Sequence, residues 1–92
     1  MTEADYLASL APKGYGEAVG KTWEPGLLND THTHDVALYL YIRQGAMTLD
    51  VGAGAAMLTT ACGPGDVIEV PAGVAHVERV GPGGVSFLVA RK

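Results

Sequence analysis

Turn-forming residues recur along most of this 92-residue sequence, and their spacing limits the possible folds more than any other feature. From Gly45 onward, turns rich in glycine and proline are separated by about nine or ten residues, with short runs of β-forming residues between them. Such a rhythm is typical of antiparallel sandwiches and barrels rather than of helical domains. The predicted turns lie at Pro25–Gly26, Gln44–Gly45, 52–54, Gly63–Gly65, Pro71–Gly73 and Gly81–Gly84.

The first residues of the chain have a different character. Thr2 can cap a short helix over Glu3–Leu10, because its hydroxyl can accept a hydrogen bond from a free backbone N–H and acidic residues in the first turn suit the helix dipole. We therefore expect one domain over residues 1–92, with a helical segment at 1–14 and a β-barrel at 15–92.

Composition excludes several classes of function. The formal net charge is -4 and the basic residues are scattered singly, so a nucleic acid is not expected as a partner. No apolar run approaches the roughly 20 residues that cross a bilayer, so no membrane is expected either. The acidic N-terminal stretch differs from a basic signal peptide, which makes the cytoplasm the expected location. Cys62 is the one cysteine, so no intramolecular disulfide can form.

Two of the three histidines lie two residues apart, at the start of an apolar run. Alternate side chains of a strand share a face, so His32 and His34 should point the same way. The pattern predicts one strand from 32 to 42 whose histidines face the core. The apolar residues that continue this face, and that we expect to line a pocket beside the histidines, are Val36, Leu38, Leu40 and Ile42.

The opposite face of the same predicted strand carries Tyr39 and Tyr41. Two tyrosines suggest a covered surface, and we expect either the edge of the other sheet or a second subunit to cover it. A small barrel with such a face is expected to form a two-fold homodimer.

The third histidine lies on another predicted strand, where Val74, His76, Glu78 and Val80 share a face. Burying an imidazole nitrogen without a partner costs roughly 1–3 kcal/mol. A divalent transition metal would provide that partner for all three rings at once. A single inward histidine is more often a hydrogen-bonded core residue, so the prediction of a metal site depends on all three histidines occupying inward positions.

The spacing around these histidines resembles that of the cupins. Their first motif is usually written G-x5-H-x-H-x3,4-E-x6-G, and the corresponding residues here are Gly26, His32, His34, Leu38 and Gly45. Their second motif is usually written G-x5-P-x-G-x2-H-x3-N, and the corresponding residues are Gly65, Pro71, Gly73, His76 and Val80. The resemblance implies an all-β antiparallel cupin-type β-barrel or jelly roll, here with a short N-terminal helix.

The resemblance also implies a mononuclear metal site, with two departures. Of the ligands in the family's motifs, only His32, His34 and His76 carry over, because Leu38 stands in place of the motif glutamate. The chain thus looks like the three-histidine variant seen in some cupin dioxygenases. Without that carboxylate the metal keeps its full positive charge, which should favour an anionic ligand. Iron, zinc, manganese, nickel and copper all remain possible, since imidazole serves each of them.

Three functions remain open at this stage. The first is a metal-dependent enzyme, dioxygenase-like, acting on a small anionic organic substrate, with Glu78 as the candidate catalytic residue. Glu78 could act as a general base, as a carboxylate ligand or as a hydrogen-bond acceptor behind the ligands, or it could lie in solvent on a frayed strand. The alternative is a non-catalytic module that binds or senses a small ligand or the metal. In the third interpretation, the histidines bind nothing.

Overall fold

The computed structural model of the chain describes residues 1–52 and 54–92, apart from the side chains of Thr31 and Ala56. Within these residues the strands pair antiparallel throughout, and one short α-helix precedes them. The elements are α1 (Glu3–Leu10), β1 (Val19–Trp23), β2 (Leu28–His32), β3 (Leu38–Val51), a 3-10 turn (Gly54–Ala56), β4 (Leu58–Cys62), β5 (Val67–Val70) and β6 (His76–Arg91). The predicted turn at 52–54 includes residue 53, which lies outside the described residues.

Two long strands, β3 and β6, pair with each other along nearly their whole length and organise the fold. The remaining strands divide between their two halves. β1 and β5 flank one half, where β1 pairs with the end of β6 and β5 with the start of β3. β2 and β4 flank the other half, where β2 pairs with the start of β6 and β4 with the end of β3. This arrangement is a jelly roll, in agreement with the predicted fold class.

The predicted turns at Gln44–Gly45 and Gly81–Gly84 are bends inside β3 and β6, not hairpin turns, and on this point the sequence-based prediction was wrong. The β3–β6 register shifts on both sides of Gln44–Gly45, as it does at a β-bulge. A bulge re-aims a strand without ending it, so the same two strands serve both halves of the jelly roll.

The strand predicted over 32–42 is also interrupted. β2 ends at His32 and β3 begins at Leu38, and the link between them carries the chain from one half of the jelly roll to the other. Ala37, at the end of this link, exchanges two backbone hydrogen bonds with Lys92, at 3.0 and 3.1 Å. The alternation of apolar residues continues through the link, and for this reason it did not reveal the break.

The inward faces of the strands form the main core, which contains residues predicted to face inward, such as Leu38, Leu40 and Ile42. The opposite face of β3 is covered by α1 and the segment that follows it. Tyr6 and Tyr15 pack against Tyr39 and Tyr41 in a second apolar cluster. The tyrosine face is thus covered by the chain's own N-terminal segment, whereas a sheet edge or a second subunit was expected to cover it.

The helix itself forms as predicted. Thr2 Oγ1 accepts a hydrogen bond from the N–H of Asp5 at 3.1 Å, and the helix spans Glu3–Leu10. Tyr6 is fully buried and its hydroxyl donates to the carbonyl of Tyr39 at 2.7 Å. Burial raises the pKa of Tyr6 to about 12. At eight residues the helix is too short to cross a bilayer. The described part of the chain contains no helix that is long and apolar enough to do so.

Candidate metal centre

The three histidines meet where β2, β6 and the link after β2 come together. His32 is the last residue of β2 and lies directly opposite His76, the first residue of β6, with the ring centroids 4.0 Å apart. His34 lies in the link, with its ring centroid 5.0 Å from His32 and 5.2 Å from His76. One potential ligand nitrogen from each ring lies within 4.8 Å of the other two.

The second motif holds His34 in place. The N–H of Gly73 donates to the carbonyl of His34 at 2.8 Å, so the Pro71–Gly73 turn of one motif is tied to the histidine pair of the other. Gly73 has a positive φ of +75°, which glycine adopts without strain. The turn glycine therefore contributes to the site through its backbone. A Cβ added at Gly73 would meet no atom within 4 Å, so a lack of space is not what requires glycine here.

Two of the rings are oriented by backbone carbonyls. His32 Nδ1 lies 2.6 Å from the carbonyl oxygen of Asp30, and His76 Nδ1 lies 3.3 Å from that of Val74. A carbonyl oxygen only accepts hydrogen bonds, so each Nδ1 must carry the proton. In a neutral ring the lone pair is then on Nε2, as in metal-ligating histidines, which commonly donate their other nitrogen to a backbone carbonyl.

The donor set fits a divalent metal ion. His76 is 2% exposed, and its Nε2 is the buried side-chain polar atom that lacks a hydrogen-bond partner within the described residues. Burial lowers the pKa of both His34 and His76, with the neighbouring rings adding to the effect. The neutral imidazole is the form that binds metals, so these shifts favour metal binding.

Glu78 lies in the same cluster and is buried, with 5% of its surface exposed. Its Oε1 is 3.1 Å from His32 Nε2 and 3.5 Å from His76 Nε2, and it accepts a hydrogen bond from Asn29 Nδ2 at 3.2 Å. Burial raises the pKa of Glu78, and the neighbouring imidazoles of His32 and His34 and the hydrogen bond from Asn29 oppose that shift. The possibility of a solvated Glu78 on a frayed strand is therefore not what the structure shows.

A cavity of about 250 Å³ opens next to these side chains. His32, His34 and Glu78 line it, and of the four apolar residues predicted as its wall, Leu38 and Leu40 do so. Ile42 is instead fully buried in the main core, and Val36 packs against that core. The other lining residues are Lys21, Trp23, Asn29, Phe87, Val89 and Arg91.

Sequence reasoning did not identify the two basic residues of this cavity. Lys21 and Trp23 alternate along β1, and Arg91 continues the alternation of Phe87 and Val89 along β6, so each cation shares a face with apolar wall residues. That alternation was the available signal. It was not sufficient alone, because the pairing of β1 with the end of β6 is a long-range contact.

No protein-family model matches the sequence, and no curated protein matches it. Solved structures of oxalate decarboxylase from Bacillus subtilis are similar in fold. The enzyme at pH 4.6 superposes with a TM-score of 0.74 and 22% identity, over 82% of this chain and 20% of that chain. A structure concerning the substrate binding mode and a reaction specificity switch in oxalate decarboxylase gives a TM-score of 0.75 with the same identity and coverage. Another concerns its Mn(II) centres, with a TM-score of 0.74.

This chain spans about a fifth of the length of those proteins, and at 22% identity the likeness establishes the fold. The fold is the cupin-type jelly roll that the two histidine motifs implied. The fold and the site together define a small cupin-type β-domain with a three-histidine group that can hold a metal ion.

Proposed function

We propose that this chain is a mononuclear metal-binding cupin that takes a small anionic organic molecule at its metal. The observation that supports this most is the convergence of His32, His34 and His76 beside one cavity. In this proposal the three imidazoles would hold the ion beside the cavity, where a small ligand could reach it. A bound metal would supply Lewis-acid polarisation of a ligand oxygen. Manganese is the metal named for one of the similar structures, and iron, zinc, nickel and copper also suit imidazole ligands.

The cations of the cavity support an anionic ligand. Four of the chain's six basic residues have partners elsewhere: Lys13 with Glu69, Arg43 with Glu3, Arg79 with Asp50, and Lys92 with the carbonyl of Lys13 and the ring of Tyr15. Lys21 and Arg91 line the cavity, and the described part of the chain provides neither with a recorded ion pair. A carboxylate in the cavity would complement both charges.

The position of Arg91 strengthens this argument. Leu38 occupies the place of the glutamate in the first cupin motif, and its partner across the β3–β6 ladder is Arg91. Where the cupin motif places a glutamate in the cavity wall, this chain has an apolar side chain next to a basic one. A ligand that brings its own carboxylate fits such a wall better than a cationic one.

The first function we propose is that of a metal-dependent enzyme, dioxygenase-like, with Glu78 as its catalytic carboxylate. Glu78 is the acidic side chain among the described residues that line the cavity, and burial raises its pKa, as is common for carboxylates at functional sites. Similarity to an enzyme whose substrate binding mode has been studied agrees with this role.

The alternative is a non-catalytic module that binds a small ligand or the metal. The apolar character of the wall favours it, since Leu38, Leu40, Trp23, Phe87 and Val89 offer little to a reacting group. Turnover distinguishes the two functions, because both require metal and anion binding.

The experiment begins with metal analysis of untagged protein purified without chelator. The metal-free protein is then loaded with Co(II), and its visible spectrum is followed during titration with small mono- and dicarboxylates. We expect a spectral change on carboxylate binding, a loss of about tenfold or more in affinity for Arg91→Gln, and no change for Lys92→Gln. Lys92 is the matched control because it follows Arg91 directly but contacts Tyr15 and Lys13 on the helix side. Protein that binds no metal, or an Arg91 variant that behaves like the control, would contradict the proposal.

A homodimer stays a prediction, and so does the cytoplasmic location. The tyrosine face that suggested a second subunit is covered by α1, so it no longer supports a dimer. Exposed apolar residues remain at the β4 edge, where Leu58 is 72% exposed and Met57 46%. Sedimentation at micromolar concentration tests the dimer directly, and a monomer would refute it.

A further inference from the structure

Three polar atoms lie close together at the candidate site, and all three are hydrogen-bond acceptors if both rings are neutral. The Nδ1–H groups of His32 and His76 donate to backbone carbonyls, which leaves the Nε2 lone pair of each neutral ring pointing toward Glu78. Glu78 Oε1 lies 3.1 Å from one Nε2 and 3.5 Å from the other. An ionised carboxylate also only accepts, so no hydrogen lies between these atoms when both rings are neutral.

The neighbouring hydrogen-bond donors do not satisfy all three acceptors. Asn29 Nδ2 donates one hydrogen bond to Glu78 Oε1, and among the described residues His76 Nε2 has no donor at all. Three lone pairs at such short range repel one another in a buried environment. A cation located between them would turn this repulsion into attraction.

The distances suit a metal ion. Two ligand atoms that each lie about 2.1 Å from one ion are about 3.0 Å apart at a right angle and about 3.4 Å apart at a tetrahedral angle. The two nitrogen–oxygen separations, 3.1 and 3.5 Å, are close to these values. Relative to His32 and His76, the carboxylate is therefore placed as a ligand of the same ion would be.

We propose that Glu78 is the fourth protein ligand of the metal, through Oε1. This inference rests on the proposed function, since it assumes that the histidines hold a metal. It replaces the carboxylate that the first cupin motif places where Leu38 stands. The replacement comes from the other long strand: Glu78 follows His76 by two residues on β6, so both side chains share a face.

As a metal ligand, the Glu78 carboxylate has a definite role at the site. Glu78 touches the metal, lowers its net charge and occupies one coordination position that an external ligand would otherwise take. The other interpretation is that a proton takes the place of the ion and joins His32 to Glu78 as an imidazolium–carboxylate pair. The two interpretations differ in whether the Glu78 carboxylate becomes coordinated when a metal binds.

The first measurement uses the unaltered chain. Infrared difference spectra are recorded on adding Zn(II) to metal-free protein labelled with 13C in its glutamate carboxyl groups. We expect the carboxylate stretching bands of one buried glutamate to shift when the metal binds. A stoichiometric metal complex whose carboxylate bands do not change would overturn the inference.

The second measurement compares Glu78→Gln with Glu69→Gln. Glu69 is the matched control because it is a glutamate of the same barrel that is half-exposed and paired with Lys13 away from the site. We expect Glu78→Gln to weaken Zn(II) and Co(II) binding by more than about 100-fold and to change the Co(II) visible spectrum, since removal of a supporting residue alone costs about 10–100-fold. The control should bind as the unaltered chain does.

These outcomes separate the two levels of the proposal. If the unaltered chain binds no metal, the proposed function fails, and the inference fails with it. If the unaltered chain binds metal but Glu78→Gln, shown to be folded by circular dichroism, binds it equally well with the same spectrum, only the inference is overturned.

Discussion

At the scale of single residues, the bend of the two long strands depends on two glycines. Gly45 in β3 and Gly84 in β6 both have φ of +77°, a conformation that is costly for other residues. They also approach each other closely, because a Cβ added to Gly45 would lie 2.0 Å from the carbonyl oxygen of Gly84. Neither backbone can yield without breaking the ladder between the strands, so this position requires glycine for two independent reasons.

A matched pair of substitutions separates those reasons. Gly26 has a similar φ of +74°, but a Cβ there would meet nothing within 4 Å. We expect Gly26→Ala to lower the free energy of unfolding by about 1–2 kcal/mol from backbone strain alone. Gly45→Ala should cost at least about 2 kcal/mol more, because the added methyl collides with backbone. Urea unfolding of both variants measures the difference, and equal losses would show that the close contact carries no cost.

The same glycines show what the sequence could not reveal. A glycine with positive φ serves equally well in a hairpin turn and in a bulge inside a strand, so Gly45 and Gly84 were assigned to turns. The histidines were different, because burial of a polar ring requires a partner wherever the strand ends. The sequence therefore grouped His32, His34 and His76, and the structure brings these rings together, even though the strand expected to carry the first pair is interrupted after His32.

At the scale of elements, helix α1 is joined to the barrel by apolar packing and by charge. Beyond its C-terminal end, Lys13 forms an ion pair with Glu69 of β5 at 2.9 Å, and the hydroxyl of Tyr15 donates to the same carboxylate at 3.3 Å.

Sequence analysis predicted the helix, because its cap and acidic first turn are local signals. It did not predict what the helix covers, since that depends on contacts between Tyr6 and Tyr39, residues far apart in the chain.

The Glu69 contact predicts a pH dependence of stability. The hydrogen bond from Lys13 is the main reason that the pKa of Glu69 is lowered in the folded chain. The stabilisation is therefore fully present above the unfolded pKa, about 4.3, and is lost as the pH falls through the lower folded value. Because both side chains are almost half exposed, the contribution at pH 7 should be only about 0.2–1 kcal/mol.

Replacement of this carboxylate tests the prediction. Glu69→Gln should be less stable than the unaltered chain at pH 7, and the difference should shrink as the pH falls below the unfolded pKa of about 4.3. Glu17→Gln serves as control, since Glu17 is exposed and the described residues give it no ion pair. Denaturant unfolding from pH 7 downward supplies the measurement, and a difference that does not shrink as the pH falls would argue against the assigned ion pair.

At the scale of the whole molecule, the proposed metal would join parts of the chain that are distant in sequence. His32 ends β2, His34 lies in the link that crosses between the two halves of the jelly roll, and His76 begins β6. In a chain of 92 residues the buried core is modest, so a ligand that bridges these elements should contribute a large share of the stability. Metal binding and folding should be coupled, because the unfolded chain does not bring the three rings together.

Thermal unfolding measures this coupling. At a free metal concentration of 100 times Kd, linkage gives about 2.7 kcal/mol, which for a domain of this size corresponds to a rise in Tm of roughly 10–20 °C. His34→Gln is the suitable test variant. Residue 34 lies outside the strands, so the metal-free variant should keep nearly the same Tm as the unaltered chain. We expect the variant to lose most of the metal-dependent rise. An equal rise in both proteins would mean that the stabilising ion binds elsewhere, and the assignment of the three-histidine group as the metal centre would then be wrong.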